Sequence, residues 1–154
     1  MIFTSKRFFA IGALCLSCLA QAASAQDVTA ELPPEVRSLL QKEMLQIDAA
    51  MKVIHGSIVR GEHEVVEKQG KAIHDSFILQ QSITPEGRKA LKNAVPEGFL
   101  QLDQGFHALA AQLSDSGGRE DTAAQLKIFG QLTQACVTCH SRYVSERFDG
   151  LDAQ

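Results

Sequence analysis

The stretch ELPPEVRSLLQKEMLQIDAAMKVIHGSIVRG, residues 31–61, predicts how this chain folds, because its apolar residues recur at a helical period. It opens with two prolines suited to the start of a helix and closes on a glycine suited to its end. Between them, apolar residues advance by steps of four and three, which keeps them on one face of a helix of roughly 25 residues. The members of this stripe are Leu40, Met44, Ile47, Met51, Ile54 and Ile58.

Similar spacings recur in three further segments. A second helix is predicted over about residues 62–81, with three apolar residues on one face: Val66, Ile73 and Phe77. Thr84 followed by Pro85 predicts a short connecting helix. A third helix is predicted to begin at Pro96 and to break in the SDSGGRED run at 114–121. The fourth carries the stripe Phe129, Leu132, Cys136, Cys139 and Tyr143.

These patterns predict the fold class. No alternating apolar run indicates a strand, and the chain has one tyrosine and no tryptophan. Four amphipathic helices with two tight links and one longer crossover predict an all-α, antiparallel up-down-up-down four-helix bundle.

The first 25 residues have the layout of a cleaved secretory signal. Two basic side chains precede an apolar run over residues 8–20, and small residues follow at 23–25. The run is shorter than the ~20 apolar residues that a membrane-spanning helix needs. We therefore expect cleavage after Ala25, export to the periplasm, and one domain over residues 26–154 without a membrane span.

The charge balance of this domain argues against nucleic acid as a partner. Residues 26–154 hold thirteen Lys and Arg against eighteen Asp and Glu, a formal charge of −5 with neutral histidines. The sequence shows no basic stripe interleaved with aromatic residues, which is the pattern expected of a nucleic-acid surface.

The motif Cys136-Val-Thr-Cys139-His140 in the fourth helix indicates chemistry, since exported proteins stabilised by disulfides spread their cysteines along the chain. A thioredoxin-like pair is found at a helix N-terminus in a βαβ context, and structural zinc requires four nitrogen or sulfur ligands. Neither context is present. Cys-x-x-Cys-His is the attachment motif of c-type haem. Residues i and i+3 share a helix face, so Cys136 and Cys139 can both form thioethers with the haem vinyl groups. His140, about 100° further around, can bind the iron as the proximal ligand.

With this motif in its last helix, the chain over residues 33–148 resembles the cytochrome c′ family, the class II c-type cytochromes. In that family the motif is followed by an aromatic residue and an arginine. Val144 stands where the arginine is expected. The resemblance implies one covalently attached haem c with Tyr143 beside it. Four residues match the family pattern: Cys136, Cys139, His140 and Tyr143.

The resemblance also implies a distal position on the first helix. Cytochromes c′ proper leave it open beside an apolar or aromatic residue and bind gases, whereas their low-spin relatives supply a methionine and carry electrons. Counting back from Gly61 without a gap reaches Leu45, and the apolar stripe reaches Met44. We expect Met44 to be the distal ligand, because burial decides which side chain can reach the haem, and we expect Met51 to pack in the core.

His107, one step off the stripe of the third helix, is expected to be a partly buried, hydrogen-bonded histidine. A contact with a haem propionate, or axial ligation, is the alternative for this residue.

Together these residues predict a periplasmic mono-haem c-type cytochrome. It would carry single electrons between redox partner proteins through Fe(III)/Fe(II) cycling, without enzymatic activity. Two alternatives stay open: a five-coordinate haem protein that binds nitric oxide or carbon monoxide, favoured by Leu45 at the distal position, and a haem-free helical binding module. The resemblance also implies dimers through the first two helices, where off-stripe Leu45, Val53 and Val59 are candidate contacts.

Overall fold

The computed structural model describes residues 27–76, 79–148 and 150–151, and within these ranges the chain is helical without any strand. The all-α prediction is confirmed for this part of the chain. The predicted leader, residues 1–25, and Phe77 of the second stripe lie outside the described residues. None of the helices in the described ranges has the length and apolar character needed to cross a membrane.

Six α-helices follow one another in the part of the chain that the structure describes. A short 3₁₀ turn, Ser145–Arg147, comes after the last of them. The helices are α1 Pro34–Arg60, α2 His63–His74, α3 Leu79–Ser82, α4 Pro85–Ala94, α5 Glu97–Gly118 and α6 Thr122–Tyr143.

Local capping signals set several of these ends, as predicted. α1 ends at Gly61, whose φ of 70° is the left-handed conformation that glycine adopts without strain. The Oγ1 of Thr84 accepts a hydrogen bond from the Gly87 N–H at 3.0 Å and caps α4. Pro96 precedes α5, and the Asp121 carboxylate accepts from the Ala124 N–H at 2.9 Å at the start of α6.

The second helix is shorter than predicted. Instead of running to residue 81, α2 ends at His74, and Ser76 takes a positive φ of 59°. The break supplies donors to a buried carboxylate on α1: the Ser76 hydroxyl donates to Glu43 Oε1 at 2.8 Å, and the Leu79 N–H donates to Glu43 Oε2 at 3.0 Å. Because a buried carboxylate must be hydrogen-bonded, satisfying Glu43 outweighs continuing the helix.

Close packing of small residues joins α2 to α5. A Cβ built on Gly70 would lie 2.7 Å from the backbone nitrogen of Ser114, and one on Gly117 would lie 2.5 Å from the backbone nitrogen of Glu67. The two backbones therefore approach each other directly at both crossings, as only glycine permits.

The α5 and α6 helices run in opposite directions from a short link at residues 119–121. The rings of Phe99, near the start of α5, and Tyr143, at the end of α6, meet edge to face with centroids 5.6 Å apart. This contact brings the start of α5 level with the end of α6.

Two apolar clusters form the core. The first fills the space among the long helices α1, α2, α5 and α6, and includes Ile54, Ile73, Leu113 and Leu132, each fully buried. The second joins the segment before α1 to α4, the start of α5 and the end of α6; its buried members are Val28, Leu32, Val36, Leu91, Val95 and Phe99.

Candidate functional site

The two thiols of the motif lie in the last two turns of α6, on its inner side. Cys136 and Cys139 are half-buried and are not joined in a disulfide. They continue the buried face of Ile128 and Leu132. Val137, between the cysteines, is 38% exposed and lines a cleft of about 360 Å³ on the outer side of α6 together with Thr138. The cysteines therefore share one face of the helix and the intervening residues face the opposite side.

Burial controls the protonation of these thiols. Desolvation raises the pKa of Cys136, and it raises the pKa of Cys139 to about 11, with smaller contributions from the negative charges of Asp103 and Cys136. Both thiols are thus protonated at neutral pH. A thioredoxin-like cysteine needs the opposite, a lowered pKa at a helix N-terminus.

His140 is held by the chain that follows it. After α6 ends, the 3₁₀ turn at Ser145–Arg147 brings Phe148 back onto the imidazole, and the two rings stack with centroids 4.3 Å apart and planes 3° apart. Burial lowers the pKa of His140, and the positive charge of Arg147 lowers it further. The ring is therefore neutral at neutral pH, the state in which imidazole binds a metal.

Tyr143, the last residue of α6, packs close to the motif. Its ring packs on Phe99 and against the second core cluster, together with Cys139. Its backbone carbonyl accepts a hydrogen bond from the Val28 N–H at 3.0 Å, which ties the segment before α1 to the end of α6.

The structure differs from the expectation that Met44 sits at the centre of the buried face of α1. Met44 is 37% exposed and Leu45 is 67% exposed, whereas Glu43 beside them is 2% exposed. Ile47, Ile54 and Ile58 are buried as the stripe predicts. The apolar stripe is rotated relative to the buried face here because Glu43 turns inward to meet Ser76 and Leu79.

Sequence reasoning missed a buried polar cluster next to the thiols. It consists of Glu43 on α1, Ser76, and the half-buried pair Asp103 and His107 on α5. His107 Nδ1 lies 2.7 Å from the carbonyl oxygen of Ile73, and His107 Nε2 lies 3.7 Å from Asp103 Oδ1. His107 is thus the partly buried, hydrogen-bonded histidine that the sequence predicts. The spacing of Asp103 and His107, one helical turn, was the available signal.

Arg37 offers an unused donor. Its Nη2 donates to the carbonyl oxygens of Ala30 at 3.2 Å and Leu32 at 3.0 Å. Its Nε is buried and has no hydrogen-bond partner among the described residues. Buried donors are almost always paired, so this guanidinium is suited to an anionic acceptor. Arg37 precedes Met44 by seven residues, two turns along the same side of α1.

These features fit a covalently attached haem. The thiols are free, share one face and are followed directly by a neutral imidazole. A porphyrin already binds its iron through its own nitrogens, so the protein needs to add only one or two axial ligands. In the described ranges, no group of three or more His, Cys, Asp or Glu side chains is arranged to hold a bare metal ion.

Comparison with known proteins gives no relative on which to rest a family assignment. No protein-family model matches the chain, and neither the curated proteins nor the solved structures contain a significant match.

Proposed function

We propose that this protein is a periplasmic mono-haem c-type cytochrome that carries single electrons and is not an enzyme. The observation that carries the proposal is the arrangement of Cys136, Cys139 and His140: two free thiols on one face of α6 and a neutral imidazole directly after them. When bound, haem c supplies a reversible Fe(III)/Fe(II) couple.

The chain's residues have distinct parts in this proposal. Cys136 and Cys139 anchor the porphyrin through thioethers, and His140 binds the iron from the proximal side. The stacked ring of Phe148 fixes the plane of the imidazole, which limits its motion between oxidation states. Tyr143 packs beside the attachment site.

Met44 is the distal ligand in this proposal. It is 37% exposed and lies next to the buried Glu43 on α1. A methionine ligand favours the ferrous iron and raises the reduction potential. Arg37, two turns away on the same side, would pair with a haem carboxylate.

The proposal includes an antiparallel up-down-up-down bundle formed by α1, α2, α5 and α6. The packing of α1 on α2, α2 on α5 and α5 on α6 supports it. Export by the leader at residues 1–25 agrees with haem c, which is attached outside the cytoplasm. Partners would be periplasmic redox proteins, and self-association through the exposed Leu45, Val53 and Val59 is part of the same proposal.

Mass spectrometry and optical spectra of the exported protein test this function. Expression in a bacterium that matures c-type cytochromes should give a red protein, heavier than residues 26–154 by one haem and resistant to acid extraction of the haem. A Cys136→Ala, Cys139→Ala variant should lose the covalent haem, while a Val137→Ala variant should keep it. A colourless wild-type protein of bare polypeptide mass would refute the proposal and favour the haem-free binding module.

A five-coordinate, gas-binding haem is the second candidate. It is favoured by the burial of Glu43 in place of Met44 on α1, which would leave the distal side without a ligand. A high-spin ferrous spectrum that shifts rapidly on adding carbon monoxide would select this candidate. A low-spin spectrum indifferent to carbon monoxide would select the electron carrier.

A further inference from the structure

The register of α5 on α6 brings an acidic residue opposite the attachment site. Phe99 meets Tyr143, and a Cβ on Gly98 would lie 2.6 Å from the Tyr143 hydroxyl. Because the helices run in opposite directions, one turn forward on α5 is Asp103 and one turn back on α6 is Cys139. The negative charge of Asp103 acts on the Cys139 thiol, in agreement with this register.

Asp103 lies beside His107, and a backbone carbonyl determines the tautomer of this histidine. A carbonyl oxygen only accepts, so His107 Nδ1, 2.7 Å from the Ile73 oxygen, carries the hydrogen. In the neutral ring, Nε2 is then unprotonated, and it faces Asp103 Oδ1 at 3.7 Å. In this state both atoms are hydrogen-bond acceptors, and they face each other without a hydrogen between them.

Titratable groups of α1, α2 and α6 surround the pair. His74, at the end of α2, has its Nδ1 3.2 Å from the backbone carbonyl oxygen of His107. Glu43 on α1 faces Asp103, the Cys139 and Cys136 thiols lie on α6, and α2 contributes the carbonyl of Ile73. Desolvation raises the pKa of Asp103, the charge of His107 lowers it, and the charge of Glu43 makes a smaller raising contribution. Loss of water around the Asp103 carboxyl therefore favours its protonated form.

We propose that the Asp103–His107 pair binds one proton when the protein takes up one electron, so that reduction and protonation are coupled. This inference rests on the proposed attachment of haem at Cys139, directly across from Asp103. With haem held by Cys136, Cys139 and His140, the electron would come from a one-electron donor protein, and the haem would supply the Fe(III)/Fe(II) couple that accepts it. The proton comes from water and settles between Asp103 Oδ1 and His107 Nε2, so the net charge of the interior is unchanged. On oxidation both leave.

Spectroelectrochemical titration of the haem-loaded protein between pH 5 and 9 tests the coupling. Over the pH range in which the pair is protonated only in the reduced protein, the ferric-to-ferrous ratio at a fixed potential should rise tenfold per pH unit. For a one-electron couple, a tenfold change equals 59 mV. The Asp103→Asn variant should lose this slope. Asp115→Asn, an exposed acid on the same helix, should keep it.

A second variant, His107→Gln, removes the ring that faces Asp103 and covers the case in which Asp103→Asn does not fold. It should also flatten the slope. A haem-loaded wild type whose potential does not vary with pH, or both variants retaining the wild-type slope, would overturn the coupling and leave the electron carrier intact. A wild type without haem would overturn both proposals.

Discussion

Burial raises the pKa of both thiols and lowers that of His140, and one cause explains both directions. A group removed from water keeps its neutral form, which is the protonated form of a thiol and the deprotonated form of an imidazole. The end of α6 therefore presents two uncharged thiols and an uncharged imidazole at neutral pH. This combination suits covalent attachment of a ligand better than it suits thiolate chemistry.

The role proposed for Met44 predicts a spectroscopic loss. In haem-loaded Met44→Ala, the weak methionine-to-iron charge-transfer band at the red end of the ferric spectrum should disappear, and carbon monoxide should bind readily to the ferrous protein. Met51→Ala is the matched control, because Met51 is half-buried and packs against the first core cluster. A Met44→Ala variant that keeps the band would exclude Met44 as the ligand.

The half-buried carboxyl of Asp103 predicts a pH-dependent stability. Its pKa is raised above the ordinary 3.8, mainly by desolvation, so the folded state holds the proton more tightly than the unfolded state. The free energy of unfolding should then fall as pH rises from about 3.8 through the raised value. At neutral pH Asp103→Asn should be more stable than the wild type, and below pH 3.8 this advantage should vanish.

Urea unfolding at several pH values measures this effect. Asp115→Asn, on the exposed side of α5, serves as the control and should follow the wild-type curve. An Asp103→Asn variant with the same difference from wild type at every pH would contradict the assignment, because only a titrating group produces a pH-dependent difference.

At the scale of elements, α2 and α5 pack closely because glycine, which has no side chain, lies where their backbones meet. The Cβ of an alanine at position 70 would meet backbone atoms of Ser114 and Ala110 at 2.7 and 3.0 Å, and backbone cannot rotate away as a side chain can. The two helices would have to separate and leave part of their shared core less well packed.

We therefore expect Gly70→Ala to lower the free energy of unfolding by about 1–3 kcal/mol, the usual cost of overpacking. Gly105→Ala is the matched control, since Gly105 lies within α5 with no atom near its Cβ position. It should raise the free energy of unfolding by about 0.5–1 kcal/mol, because alanine favours helix more than glycine does. Denaturant unfolding of both variants measures the two changes. If both substitutions change the free energy of unfolding equally, Gly70 is not in close contact with the backbone of α5.

At the scale of the whole molecule, the second core cluster joins the beginning of the domain to its end. Val28 and Leu32 lie before α1 and are buried against α4 and the start of α5, and the Val28 N–H reaches the carbonyl of Tyr143. The cluster also contacts Cys139, so the first residues that the structure describes pack beside the Cys136–His140 motif.

This arrangement predicts that Leu32→Ala destabilises the whole domain. Leu32 is 2% exposed, and truncating a buried leucine costs about 2–5 kcal/mol. Leu126→Ala removes the same atoms from a side chain that is 58% exposed, and should change the free energy of unfolding by less than about 0.5 kcal/mol. Thermal unfolding by calorimetry distinguishes them. Similar midpoints for the two variants would mean that residues 27–33 are not part of the core.

The helices could be predicted from sequence because their signals are local. Apolar spacing, the glycine after α1, the Thr84 cap and Pro96 all act within a few residues of one another, and the structure has a helix boundary at each. The Cys136 to His140 motif is local as well, since its meaning depends on spacing along one helix. Its chemistry remains a prediction for the experiments above.

Burial and the pairing of distant segments could not be predicted from the sequence in the same way. The end of α2 at His74, the inward turn of Glu43 beside a half-exposed Met44, and the pairing of Asp103 with His107 across from Cys139 each depend on neighbours far away in the chain. A helical repeat determines which residues share a face. The rotation of that face toward the core is settled only when the other helices pack and every buried polar group needs a partner.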